Sequence, residues 1–94
     1  MNVARLGDRL KGVCSVHGAV YATILTASSS EFVNGFGVAR LGDIAYATCG
    51  HTGKIVTCSA THFVDGLGVA RLGDTTSGIF TGTIITGSPD TFAT

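Results

Sequence analysis

The sequence predicts an all-β fold: a small closed structure of β-hairpins made of three repeats, with pseudo-threefold symmetry and paired N- and C-termini. Three observations lead there. The string Val-Ala-Arg-Leu-Gly-Asp occurs three times, at residues 3–8, 38–43 and 69–74. A short β-branched, Thr-flanked segment follows each copy: Thr23-Ile24-Leu25-Thr26, Lys54-Ile55-Val56-Thr57 and Thr83-Ile84-Ile85-Thr86. No stretch long enough to be a globular helix carries helical periodicity.

The elements follow in order. The register of the repeat continues into Glu31-Phe32-Val33-Asn34-Gly35 and His62-Phe63-Val64-Asp65-Gly66. Asn-Gly and Asp-Gly favour type I′ turns, because both central residues take positive φ. Each turn runs into Val-Ala-Arg-Leu, so a hairpin forms there. The Gly-Asp that closes each motif ends the strand, Gly by its positive φ and Asp by bonding its own backbone. The repeats span roughly 3–37, 38–68 and 69–94 of a single domain, residues 1–94. The third copy stops at Thr91-Phe92-Ala93-Thr94, just before its turn, and the matching second arm is the N-terminal segment 2–6. Three complete hairpins therefore require the two chain ends to meet, which also removes a free sheet edge.

Composition bounds the function. Of 94 residues 45% are hydrophobic, which excludes a disordered tail. Six Lys+Arg balance six Asp+Glu. That argues against a nucleic-acid partner and gives no reason to expect an anionic membrane surface. No apolar run reaches bilayer length, and Met1-Asn2-Val3-Ala4-Arg5 is no signal peptide, so synthesis in the cytoplasm without a leader is expected. Fourteen glycines and no Trp leave a thin core that needs a staple. Three cysteines cannot complete a disulfide framework within one chain, so metal is the better candidate.

The ligands sit in segments that vary between copies: 14 residues at 9–22, 10 at 44–53 and 8 at 75–82. These segments read as loops on one face. The first holds Cys14-x-x-His17 and the second Cys49-x-His51, two thiols and two imidazoles, the count for a closed tetrahedral zinc site. None of the four aligns with an expected strand position. His62 alternates with Phe63; if Phe63 points inward, His62 points to solvent and is a surface or interface residue, with metal ligand as a second role. Cys58 aligns with Ala27 and Gly87 and reads as a small residue in a tight place. Arg5/Asp8, Arg40/Asp43 and Arg71/Asp74 repeat identically, as structural corner contacts would and an asymmetric catalytic site would not. No catalytic triad or phosphate loop is present, and no paired carboxylates stand outside the repeats, so no enzyme activity is expected. A zinc enzyme with one open metal position, or a small zinc-binding β adaptor, is the competing reading.

The three tandem copies, here Asn2-Val3-Ala4-Arg5, Gly37-Val38-Ala39-Arg40 and Gly68-Val69-Ala70-Arg71, each followed by a segment of its own and the first two also by Phe-Val-Asn/Asp-Gly, resemble the PAAR-repeat proteins. Those cap the membrane-attacking spike of contractile phage tails and type VI secretion systems. The resemblance implies a β cone with a sharp apex, a flat triangular base seated on a trimeric β-helical spike, and a zinc ion near the tip; iron can use similar ligands. With no ligand in the third segment, the set falls on Cys14, His17, Cys49 and His51, with His62 or water as a substitute. The implied role is a non-enzymatic piercing tip, one per trimer, in transient contact with the target envelope. It would sit on a phage virion at the baseplate or at the extracellular tip of a secretion apparatus, with no nucleic acid and no small-molecule substrate.

Overall fold

The computed structural model describes residues 1–93, and among them there is no helix. The strands are β1 (Arg9–Cys14), β2 (Gly18–Ile24), β3 (Phe32–Val33), β4 (Phe36–Gly37), β5 (Ile44–Ala47), β6 (Thr52–Ile55), β7 (Phe63–Val64), β8 (Leu67–Gly68), β9 (Thr76–Gly78) and β10 (Phe80–Ile84). Six of them form one antiparallel sheet in the order β10-β1-β2-β5-β6-β9. Its two edges approach each other through a Thr75–Thr83 bridge and a Gly82 N–H donated to Thr76 Oγ1 at 3.0 Å. The sheet is thereby nearly closed into a cone, within a molecule measuring 34 × 22 × 21 Å.

This corrects the expectation for the variable segments, which are strands of the main sheet and not loops. Their inner face carries Leu10, Cys14, Ala22, Ala45, Ala47, Thr76 and Phe80, all buried. Their outer face carries Arg9, Lys11, Tyr21, Tyr46 and Lys54, so the period of two is present. Glycine hides it. Gly12 and Gly82 are register partners on β1 and β10. A Cβ on Gly12 would meet the Thr81 carbonyl, and one on Gly82 would meet the Phe80 ring. Glycine is there because the narrowing wall has no room for a side chain, not because the chain turns.

Below the sheet the three Val-Ala-Arg-Leu-Gly-Asp segments meet on the pseudo-threefold axis. Ala4 N–H donates to Ala70 C=O at 3.0 Å, Ala39 N–H to Ala4 C=O at 3.0 Å, and Ala70 N–H to Ala39 C=O at 2.9 Å. This is a closed cycle of backbone bonds, and the three alanines have no solvent exposure. A larger side chain would force the three segments apart. Around the cycle each Arg clamps its own Asp: Nε–Oδ2 is 3.0 Å in all three copies, and the Arg N–H reaches the same Oδ2 at 2.7 Å. Thr26, Thr57 and Thr86 then donate at 2.9 Å to Asp43, Asp74 and Asp8 of the following module, the last wrapping round from the chain's end to its beginning.

The seam lies where the sequence places it. Asn2 bridges Phe92, Val3 N–H donates to Thr91 C=O at 2.9 Å, and Met1 and Ala93 exchange bonds of 3.0 and 2.8 Å. Thr94, the last residue of the expected arm, lies outside the described residues. This pair completes the set begun by the β3–β4 and β7–β8 hairpins, whose turn residues Asn34 and Asp65 have φ of 53° and 54°. Cys58 does fill a tight place: its Sγ lies against Gly68, as the Ala27 Cβ lies against Gly37. In the third module the small residue changes sides, with Gly87 facing the Asn2 Cβ.

The base is a second small core of Val3, Val38, Val69 and Ala93, with Val33 and Val64 packed on it. These valines, not the neighbouring phenylalanines, point inward. Phe32, Phe63 and Phe92 are 60%, 61% and 59% exposed, three equal values that express the symmetry. The conditional expectation that Phe63 faces inward is overturned, although His62 beside it is exposed as well.

Candidate metal centre

The site stands at the narrow end of the sheet. β1 climbs from Arg9 at the Arg–Asp ring to Cys14, five residue steps or about 17 Å of strand. Cys14 is the last residue of that strand, buried to 1% exposure and in register with Gly18 and Phe80. It is therefore part of the β core, contrary to the expectation that no ligand occupies a strand position. The turn 15–17 folds His17 back toward it. In the β5–β6 connection, Gly50 at φ 91° reverses the chain between Cys49 and His51. The third hairpin contributes no ligand. It contributes Phe80, fully buried, and Ile79, whose carbonyl accepts the Ser15 N–H at 2.9 Å.

One ligand atom from each of Cys14, His17, Cys49 and His51 lies within 4.8 Å of every other. Cys14 Sγ is 3.2 Å from His51 Nδ1 and 3.5 Å from His17 Nδ1, and Cys49 Sγ is 3.6 Å from His51 Nδ1. Ligands bound tetrahedrally to one zinc stand about 3.6 Å apart, given Zn–S near 2.3 Å and Zn–N near 2.1 Å. The donor set and its spacing fit a metal ion. The two rings stack at 5.0 Å, and all three cysteines are free thiols. His62 is elsewhere: it lines the hollow in the base, with Nδ1 3.1 Å from Thr61 Oγ1.

Burial alone would push the Cys14 thiol up, but hydrogen bonds from the Val16 backbone, His17 and Cys49 outweigh it and bring it down to about 6. Cys14 is thus a thiolate at neutral pH before any metal arrives, the form that ligates. The sign for the metal-free protein follows. A depressed acid contributes stability that is present above the ordinary thiol range and is lost as pH falls through about 6. Metal binding adds to this in the same direction, because every ligand must be deprotonated. A metal-loaded sample dialysed stepwise from pH 8 should lose its ion only below about pH 6, because the bound ion competes with the proton for each thiolate and imidazole. An affinity for the ion that stays the same between about pH 5 and pH 8 would mean that these four residues are not the ligands.

Sequence reasoning passed over the threonines and serines that lock the modules together. Ser28 donates to Asp65 Oδ2 at 2.7 Å and Ser88 to Asn34 Oδ1 at 2.6 Å. Their signal was present, since Thr26/Thr57/Thr86 and Ser28/Ser59/Ser88 are identical in all three copies.

Fold and site together define a β cone with threefold pseudo-symmetry, whose Cys and His side chains able to hold a metal gather at one end and whose exposed phenylalanines gather at the other. The family model of the PAAR motif matches residues 15–78. The chain belongs to that family. A comparison with curated proteins finds no match.

Proposed function

We propose that this protein is the piercing tip of a contractile injection machine, a phage tail or a type VI secretion apparatus, seated one per trimer on the end of a β-helical spike. The observation that carries the reading is the base. Phe32, Phe63 and Phe92 surround a shallow hollow of about 200 Å³ floored by Val3, Val38 and Val69, with Glu31, His62 and Thr91 at equivalent places on its rim. A monomer with three near-identical contact sets can meet a threefold axis without breaking the trimer's symmetry, and three exposed phenylalanines make an apolar surface that water does not favour. The contact would also cover exposed strand ends on the spike.

In this reading Cys14, His17, Cys49 and His51 hold a structural zinc ion. Four protein ligands fill a tetrahedral shell, and the cluster contains no carboxylate to serve as a general base. Zinc supplies charge compensation for the two thiolates and a crosslink between the first two modules. The Arg–Asp–Thr ring and the alanine cycle brace the cone below it. Resistance to load, not turnover, is what such a construction provides, so the reading is of a non-enzymatic part.

The test is assembly with a trimeric β-helical spike protein of such a machine. Phe63→Asp should weaken the complex by about a hundredfold or more, since a central aromatic anchor contributes about 2–4 kcal/mol and the new charge is desolvated. Exposure of Phe63 at 61% means that the variant keeps its melting temperature. Undiminished binding, or a stoichiometry of three tips per trimer, would sink the proposal.

A further inference from the structure

Zero net charge conceals a separation of charge along the axis. Three of the six cations, Arg5, Arg40 and Arg71, are clamped to Asp8, Asp43 and Asp74 at the ring. The remaining three, Arg9, Lys11 and Lys54, are exposed on the outer face of the six-stranded sheet. The remaining carboxylates, Glu31, Asp65 and Asp90, all belong to the base segments, and Asp65 is reached by Arg40 at 2.9 Å. No Asp or Glu occurs in 9–25, 44–56 or 75–86, the stretches that contain the sheet. The cone wall carries three cations, on β1 and β6, and no carboxylate, and none of the ion pairs among the described residues involves these charges.

Apolar and aromatic side chains are graded along the same wall. Val13, Val16 and Ile79 are exposed around the ligand-bearing end. One level down, Tyr21 stands opposite Lys11 across β1–β2. At the next, Thr23 pairs with Arg9 on one side and Tyr46 on the other, and the Arg9 guanidinium lies 5.7 Å from the Tyr21 ring centroid. Lys54 is lower still, opposite Ile44. From the apex, bare aliphatic side chains give way to tyrosines and cations side by side, as a bilayer passes from acyl chains to an interface of aromatic anchors and phosphates.

We propose that the apex and wall of the cone bind an anionic phospholipid bilayer, with Val16, Val13 and Ile79 entering the acyl boundary, Tyr21 and Tyr46 at the headgroup level, and Arg9, Lys11 and Lys54 on lipid phosphates. This rests on the envelope-facing orientation of the proposed tip and names the chemistry of what it meets. The charge sorting selects an anionic partner. The aliphatic apex selects a bilayer over a nucleic acid, which would gain nothing from exposed valines.

The experiment is flotation of the metal-loaded protein with vesicles of equimolar phosphatidylglycerol and phosphatidylcholine, against pure phosphatidylcholine. Binding to the anionic vesicles is expected at about 50 mM salt and should fall to the neutral-vesicle level at about 500 mM. Each cation near such a surface contributes about a fivefold factor, so R9Q/K11Q/K54Q should weaken partitioning about a hundredfold with an unchanged melt. Val16→Ser, at an exposed turn position, should weaken it further and separately. Equal partitioning into both vesicles, or duplex DNA binding tighter than vesicle binding and indifferent to Val16→Ser, would overturn the assignment. Phe63→Asp leaves flotation intact, so loss of spike binding and loss of bilayer binding are read independently.

Discussion

Changing Cys14 and Cys49 to serine should abolish metal binding and lower the melting temperature by about 20 °C. The magnitude follows from linkage. A ligand present at about a thousand times its dissociation constant stabilises the folded state by about 4 kcal/mol. For a domain of this size each kcal/mol moves the midpoint by about 4–8 °C. The effect is large because the site is not peripheral. Cys14 ends β1 and pairs with Phe80 of the core, and Cys49 packs against the same core cluster. Releasing the ion frees the turn 15–17 and the β5–β6 connection together, and leaves the Cys14 thiolate, where it remains, in a buried place. Elemental analysis and a thermal melt with and without chelator check it. Cys58→Ser is the control, because Cys58 lies against Gly68 and outside the cluster; it should keep the ion and melt within a few degrees of the parent. A double variant that melts like the parent would remove the staple from the account.

The repeat, the seam and the gathering of Cys14, His17, Cys49 and His51 were legible because each is a matter of spacing. Three identical hexapeptides set a phase, the phase put residue 92 opposite residue 2, and two short Cys–His pairs fell outside the repeated positions. What spacing does not reveal is how tightly backbone approaches backbone. Gly12 looks like a breaker in sequence and is a strand residue in the wall, because the cone narrows until only a hydrogen fits. The direction of Phe63 was illegible for a different reason. A two-residue strand has no periodicity to read, and it is Val64 that packs on the base cluster, as Val33 and Ala93 do in the other two modules. Charge sorting was hidden as well, since a net charge is an average over ends that the sequence does not separate.

Deleting residues 91–94 should cost the fold about as much as deleting a strand of the core. The segment is the first arm of the third base hairpin, and its partner is the N-terminus. Its loss removes the Val3–Thr91 bond and both Met1–Ala93 bonds, each contributing about 1 kcal/mol net. It also uncovers Val3 and removes Ala93 from the base cluster, about a further 2 kcal/mol of buried apolar surface. The sum is a large part of the 5–15 kcal/mol by which a small domain is stable. The damage does not stay at the base. Asn2 C=O accepts the Leu72 N–H at 2.7 Å, and Val3 C=O accepts the Ser88 N–H at 2.8 Å, so a frayed N-terminus loosens the third module and with it the alanine cycle. A thermal melt of the truncated chain should fall by about 20 °C or be lost. A closed ring also predicts the reverse experiment: joining residue 94 to residue 1 through a single glycine, which leaves two residues between Ala93 and Met1 as Asn34-Gly35 lie between Val33 and Phe36, and opening the chain at Gly66 keeps every pairing except one hairpin turn, and that permutant should fold. A truncated chain that melts like the parent, beside a permutant that does not fold, would show that the ends carry none of the stability their pairing implies.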